Sequence, residues 1–337
     1  MNITIIGDGG WGTALGLLLR QQGHDVTIWG PFADYLVEVR NRHENVRYLP
    51  GVAIPPEITW TADAAVAAKN ANLFVLAIPS KFYAGVCKKF AGLIKPDAPV
   101  VSVTKGLCAD TRRRMSEIAI EILHTQNVAV LSGPSHAEEV ARGLPTAVVA
   151  AARDLALAEQ VQKLFTGPRF RVYTSTDPVG VELGGALKNV IAISVGVSDG
   201  MGFGDNTRAA LITRGLAEMT RLACALGARP ETLAGLSGVG DLIVTCTSRH
   251  SRNRGVGERL GKGEKIGAIL GSMQMVAEGV WNSQIVRELA HARGVEVPIT
   301  EQVYGFCYTD LDPRKALVAL MTRDAKPEVP LTPASPA

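Results

Sequence analysis

The sequence is short of everything that marks a metal centre, a disulfide framework or a membrane anchor. Its five cysteines (Cys87, Cys108, Cys224, Cys246 and Cys307) are scattered, odd in number and without a CxxC pair, so buried free thiols are expected. The six histidines show no HxxxH or comparable ligand spacing, and no metal is expected. No uninterrupted apolar segment approaches the roughly 18 residues that cross a bilayer. The amino terminus, MNITIIG, has no basic region before its short apolar run, so a cytoplasmic protein without a membrane span is expected. Net charge is only +3 and no basic domain stands out. Arg112-Arg113-Arg114 reads as a solvated helix face, and no nucleic-acid partner is expected.

What is present is enough apolar residue, 47% against 20% charged, for a globular chain. At 337 residues about two domains are expected. Ile3 to Ile6 read as a buried strand, Thr13 to Gln22 as a helix stopped by Gly23, and Asp25 to Trp29 as a second strand. Between the first strand and the helix, Gly7, Gly9 and Gly12 fall on the G-x-G-x-x-G spacing. The first glycine allows a tight turn, the second lets backbone approach a pyrophosphate, and the third lets helix and strand pack closely. Amides at the helix start would face the anion. An acid at the end of the second strand would favour a free ribose hydroxyl and an arginine a 2′-phosphate. The sequence offers WGPFAD, with Pro31 in that place and Asp34 slightly late, so the residues leave NAD and NADP both open.

Further apolar runs at Asn72 to Ile78, Pro99 to Val103 and Val128 to Leu131 read as strands covered on both faces. A parallel sheet with crossover helices follows. Ligands bind beyond the carboxyl ends of such strands, which puts Ser80, Lys105, Gly133 and Ser135 on the ligand side. Position alone leaves Lys105 open between a solvated loop lysine and a functional one. GPSHA has the outline of a nucleophile turn but ends in Ala137, and His136 is adjacent in sequence to the serine; a serine nucleophile is set aside.

After strands at Thr146 to Ala152 and Phe170 to Tyr173, Asp177-Pro178 reads as a helix cap and first turn. Mostly helix follows, broken at 199–206, 226–232 and 235–241, and the end, KPEVPLTPASPA, reads as a disordered tail over 326–337. In VELGGALKNVIAISVGV, Lys188 and Glu182 are the only charges. A lysine there either snorkels to the surface or is buried so that its proton affinity shifts toward acid–base use. Gly184 and Gly185, one turn before it, would let another element or a ligand come close. Asp241 in GLSGVGDLIV would serve as a helix cap or as a partner of that lysine. Ser251-Arg252-Asn253-Arg254 places two guanidinium groups at a helix start, against the macrodipole unless an anion is present, and reads as a phosphate or carboxylate grip. Glu278 reads from its surroundings as a surface charge.

The motifs GDGGWGTAL, YLPG, TKGL, SGPSHA, ELGGALKNVIAI, GDNTRAALITRGLAEM, GDLIVTCTSRHSRNR and GVEVPIT together resemble bacterial NAD(P)-dependent glycerol-3-phosphate dehydrogenase from Ile3 to about Thr322. The resemblance implies an α/β fold, with a Rossmann-type, mostly parallel sheet domain over 1–177 followed by an all-helical substrate domain over 178–325. It implies reversible reduction of dihydroxyacetone phosphate, a phosphorylated triose, to sn-glycerol 3-phosphate with NAD or NADP as cofactor, in the cytoplasm at the head of phospholipid synthesis. Lys188 would be the proton donor or acceptor, with Asp241 beside it. Lys105, Gly133, Ser135, Ser251, Arg252 and Asn253 would complete the substrate site. Gly10 and Trp11 of the fingerprint, with Lys105, Ala137, Arg252, Val276 and Glu278, would contact the dinucleotide.

Asp8 and Gly10 stand where the family usually has a small residue and serine, which adds a negative charge near the pyrophosphate turn. Pro31 replaces a basic residue often found there and counts against a strong NADPH preference. His136 replaces a usual phenylalanine, and Cys108 a common acid. Two other readings keep the fold: a related hydroxy-acid dehydrogenase, with the basic cluster on a carboxylate, and a non-catalytic dinucleotide sensor. A homodimer is expected only from the helix-rich, apolar second half.

Overall fold

The computed structural model describes residues 1–273 and 276–322, together with 324, 325, 327 and 328. The tail expected over 326–337 therefore lies outside the described residues except at 327 and 328. The strands are β1 Asn2–Ile6, β2 Asp25–Trp29, β3 Glu44–Asn45, β4 Leu49–Ala53, β5 Thr59–Thr61, β6 Leu73–Leu76, β7 Val100–Ser102, β8 Val128–Ser132, β9 Thr146–Ala151 and β10 Phe170–Ser175. Eight of them form one sheet in the order β10-β9-β8-β7-β6-β1-β2-β5, while β3 and β4 make a small antiparallel pair.

Strand β1 lies between β2 and β6, parallel to both, with Ile3 opposite Val26 on one side and Leu73 on the other. The chain order reverses here, and this is where a doubly wound sheet opens a crevice beyond its strand ends. Alternation along the strands sends Ile3, Ile5 and Val75 into one apolar layer and Ile6, Phe74 and Leu76 into the other. Two features depart from the sequence reading. Strand β9 is antiparallel to β8, with Val130 opposite Ala151, so β9 and β10 run against the rest. Strand β5 was not expected, because Thr-Trp-Thr buries only Trp60 and gives no apolar run.

The helical half is organised around Pro178–Gly200. Asp177 caps it as expected: its Oδ1 accepts the Gly180 amide at 2.9 Å, and its Oδ2 accepts the Arg229 amide and the Thr232 hydroxyl. By length and composition this helix could cross a membrane, but 94% of its apolar window is buried inside the protein. A core helix surrounded by other helices passes the same test. One neighbour, Arg252–Gly261, packs at backbone distance: a Cβ on Gly257 would lie 2.1 Å from the Ile193 carbonyl oxygen. That crossing brings the start of the Arg252 helix beside the segment that carries Lys188.

The arginine triplet is not a solvated helix face. Arg112 sits in a left-handed turn at φ 58°, and Arg114 precedes the helix Met115–Leu123 with its guanidinium 2.7 Å from the buried Glu182 carboxylate. Glu182 also accepts the Ser116 amide and hydroxyl. This ties the central helix to the sheet half. Burial pushes the Glu182 carboxyl above its ordinary range in spite of Arg114, so loss of the cation would leave an uncompensated buried acid. Arg114→Ala is expected to destabilise the fold by about 3–5 kcal/mol in urea titration; a loss well under about 1 kcal/mol would show that the pair does not hold the two halves.

Candidate active site

Lys188 does not snorkel. It is 5% exposed, and its Nζ donates to Asp241 Oδ1 and to Thr245 Oγ1, both at 2.6 Å. The carboxylate reaches it through two close approaches. A turn of π-helix, Leu236–Gly240, runs against the central helix, where a Cβ on Gly184 would lie 2.3 Å from the Ser237 carbonyl oxygen. The helix Asp241–Thr247 then begins with the carboxylate pointing inward. Asp241 accepts no backbone amide of its own helix, so the capping alternative is not its use.

The second oxygen of Asp241 is held by Lys105, 2.9 Å away, on the loop after β7. The Lys105 ammonium also donates to the Gly133 carbonyl at 2.8 Å and to Ser135 Oγ at 3.2 Å. It is thus a gathered residue, not a solvated one. Gly185 permits this: a Cβ there would lie 2.8 Å from Ser132 Oγ and 3.4 Å from Lys105 Cγ. Lys105, Gly133, Ser135, Lys188 and Asp241, drawn from four separate stretches of chain, form one hydrogen-bonded set.

Two ammonium groups on one buried carboxylate settle its charge. Burial alone would raise the Asp241 carboxyl, but Lys105 and Lys188 outweigh it and hold it below the ordinary carboxylate range. Burial lowers Lys188; Asp241 opposes that and Lys105 adds to it, leaving the ammonium at about 8. His136 lies in the same field, its pKa lowered by burial and then by Lys188 and Lys105.

The basic segment is sorted by the structure. Ser251 caps its helix by accepting the Arg254 amide, and Arg254 pairs with Asp199 at 2.7 Å. Asn253 donates to Asn189 Oδ1 and accepts the Gly279 amide, both at 2.9 Å. Of these four residues only Arg252 is exposed and has no hydrogen bond or ion pair to the described residues. The cleft walls still crowd its guanidinium enough to lower its pKa, while Glu278 and Glu138 pull the other way. A cavity of about 260 Å³ opens here, lined in part by Arg249, His250, Ser251 and Arg252. The four-residue grip of the sequence reading therefore contracts to one unpaired guanidinium at a helix start.

On the sheet side the fingerprint fits a dinucleotide. Gly7 has φ +126°, and a Cβ on it would strike the Ala77 carbonyl at 2.3 Å, whereas a Cβ on Gly9 would meet nothing within 4 Å. A glycine required by no protein neighbour leaves its backbone open to close approach by a ligand. Gly12 packs against the Gly7 carbonyl, and Gly10 sits 3.7 Å, at its would-be Cβ, from the Ala137 methyl. The Trp11 Nε1 is buried without a partner. Glu278 is not a surface charge: its carboxylate accepts the Ser80 amide at 2.9 Å and the Ser80 hydroxyl, closing the helical half onto the strand end. Val276 leads into that helix and makes no hydrogen bond among those described. Thr245 and Asn189 were missed by the sequence reading. Thr245 could have been found, since it stands four residues after Asp241 on the same helical face.

A fingerprint turn at the sheet's switch point, joined across a cleft to a buried lysine–carboxylate centre, defines a two-domain dinucleotide-dependent dehydrogenase. Residues 2–158 match the family described as NAD-dependent glycerol-3-phosphate dehydrogenase N-terminus, and residues 177–318 its C-terminus. The chain is 50% identical over 329 residues to the glycerol-3-phosphate dehydrogenase (NAD(P)+) of Geobacter sulfurreducens, covering 97% of this chain and 98% of that one. It is 47% identical to the enzyme of the same name from Chlorobium phaeobacteroides, over 98% and 99% of the two chains. The crystal structure of glycerol-3-phosphate dehydrogenase from Coxiella burnetii superposes with a TM-score of 0.91 at 39% identity, covering 96% and 99%. The chain belongs to the NAD-dependent glycerol-3-phosphate dehydrogenase family.

Replacing Asp241 by asparagine removes the group that most raises Lys188 and leaves two ammonium groups facing each other. The Asp241→Asn protein is expected to lose about 10²–10⁴-fold in kcat and to shift the basic limb of the pH–rate profile downward. An unchanged limb would remove Asp241 from the control of Lys188.

Proposed function

We propose that this chain reduces dihydroxyacetone phosphate to sn-glycerol 3-phosphate, reversibly, and that Lys188 carries the proton. The observation that carries this reading is the 2.6 Å contact between Lys188 Nζ and Asp241 Oδ1, a pair that Lys105 links to the strand ends of the fingerprint half. When bound at the fingerprint, NADH or NADPH supplies the hydride. Gly7, Gly9, Gly10, Trp11 and Gly12 would cradle its phosphates and adjoining groups. Lys105, Ala137, Arg252, Val276 and Glu278 would line the rest of its path.

Lys188 donates its ammonium proton to the ketone oxygen as that oxygen gains charge. Asp241 keeps the ammonium populated despite burial, and Thr245 holds the neutral amine left behind. Lys105, steadied by Gly133 and Ser135, adds a second positive group that faces the developing oxyanion. Arg252, at the mouth defined by Ser251 and Asn253, takes the phosphate and fixes the ketone's orientation. A phosphorylated triose is favoured over a hydroxy acid by family membership. A sensor would have no use for a lysine held at about 8.

The same reading assigns residues 1–177 to the dinucleotide and 178–325 to the substrate. It places the protein in the cytoplasm, supported by five free cysteines, and in the supply of phospholipid precursor. Assembly as a homodimer, read by sedimentation, is part of it and rests on the helix-rich second half.

Lys188→Ala is expected to lose about 10²–10⁴-fold or more in turnover while dinucleotide binding, followed by fluorescence, stays within about twofold. Ketone reduction needs the ammonium, so its rate should fall as pH rises through about 8; alcohol oxidation needs the amine and should rise over the same range. An active alanine variant would end the assignment.

A further inference from the structure

In doubly wound nucleotide-binding sheets, the group that separates a free ribose hydroxyl from a 2′-phosphate stands at the carboxyl end of the second strand. Here β2 ends at Trp29 and is followed by Gly30 and Pro31, which bring no side-chain charge, and proline brings no N–H. The space beside that strand end is filled from elsewhere. A Cβ built on Gly30 would lie 2.6 Å from both Cγ and Oδ2 of Asp8, the second residue of the fingerprint turn after β1. The added negative charge expected near the pyrophosphate turn thus leans onto the end of β2 instead.

Asp8 is 8% exposed, and its Oδ2 is buried without a hydrogen-bond partner. Its only side-chain-independent bond of note, the Asn45 amide to its carbonyl at 2.8 Å, any residue at this position could accept. Beyond its own backbone amide the carboxylate engages no hydrogen-bonding group among the described residues, and a buried oxygen left unpaired weakens the protein. Burial holds its carboxyl above the ordinary range, and the hydrogen bond from its own backbone amide and the weaker pull of Arg47 do not offset that effect. Arg47 is engaged elsewhere, its guanidinium 4.3 Å over the Tyr35 ring.

We propose that Asp8 is a specificity-determining residue that selects the dinucleotide without a 2′-phosphate. A ribose hydroxyl beside it donates a hydrogen bond to an acceptor that has none. A phosphate there sets like charges together in a poorly solvated corner, and neither Gly30 nor Pro31 offers a cation to offset them. This rests on the proposal that the fingerprint holds a dinucleotide.

The test has a binding arm and a turnover arm, in the wild type, Asp8→Asn and Asp8→Ala. Tryptophan fluorescence is titrated with 5′-AMP and with 2′,5′-ADP, and kcat/KM is measured with NADH and with NADPH on dihydroxyacetone phosphate. The wild type is expected to favour 5′-AMP and NADH by roughly tenfold or more, and both variants to move each ratio toward the phosphorylated ligand by roughly tenfold. A wild type that favours NADPH, or ratios unmoved in both variants, overturns the proposal; should Asp8→Ala not fold, the isosteric Asp8→Asn, which removes only the charge, decides it. Failure of the dehydrogenase reading looks different: neither nucleotide is oxidised, while the two adenosine phosphates still bind and are still distinguished.

Discussion

The Asp241 carboxylate, shared between the ammonium groups of Lys188 and Lys105, is the interaction on which the rest of the site depends. An ammonium group in an apolar helix surrounded by other helices would ordinarily lose its proton. A carboxylate that is 1% exposed would ordinarily gain one. Each keeps the other charged, and Lys105 makes the carboxylate the more secure of the two. The outcome is a lysine near 8 beside a carboxylate below its usual range, the separation of proton affinities that acid–base catalysis needs.

Much of the fold follows from delivering those groups to one point. Lys105 comes from a sheet strand end and Asp241 from a short helix after a π-turn, and Lys188 comes from a helix that needs backbone-distance neighbours to receive either. The absence of Cβ atoms at Gly184 and Gly185 is what lets the π-turn and the Lys105 loop close on the central helix. Arg114–Glu182 and Ser80–Glu278 then tie the sheet half to the helical half at two places, so the cleft has fixed walls. A misplacement of about 1 Å between catalytic groups can cost on the order of 10²-fold in rate, which gives such ties a functional value beyond stability.

Periodicity made the nucleotide-binding half legible, because strands covered on both faces must be apolar throughout and the fingerprint glycines have fixed spacing. Asp25–Trp29 was placed to the residue. The cap at Asp177 and the helix start at Ser251 were also readable from local chemistry. What stayed hidden is long-range. The pairing of Arg114 with Glu182 spans 68 residues and that of Ser80 with Glu278 spans 198; the apolar run marks Glu182 as unusual without naming its partner, and nothing near Glu278 distinguishes it from a surface charge. The reversal of β9 was hidden for the same reason: a run of apolar residues carries no direction. In the basic segment, sequence counted four polar side chains as ligands, whereas three of them hold the protein and Arg252 alone remains.

The central claim is that Lys188 changes protonation near working pH because of Asp241. The measurement that tests it most directly is a pH titration of the Lys188 Cε resonance in protein carrying ¹³C-labelled lysine, assigned by its absence in the alanine variant. The account predicts a midpoint near 8 that moves down when Asp241 is replaced by asparagine. A midpoint at the ordinary lysine value of about 10.4, or one indifferent to residue 241, would contradict it.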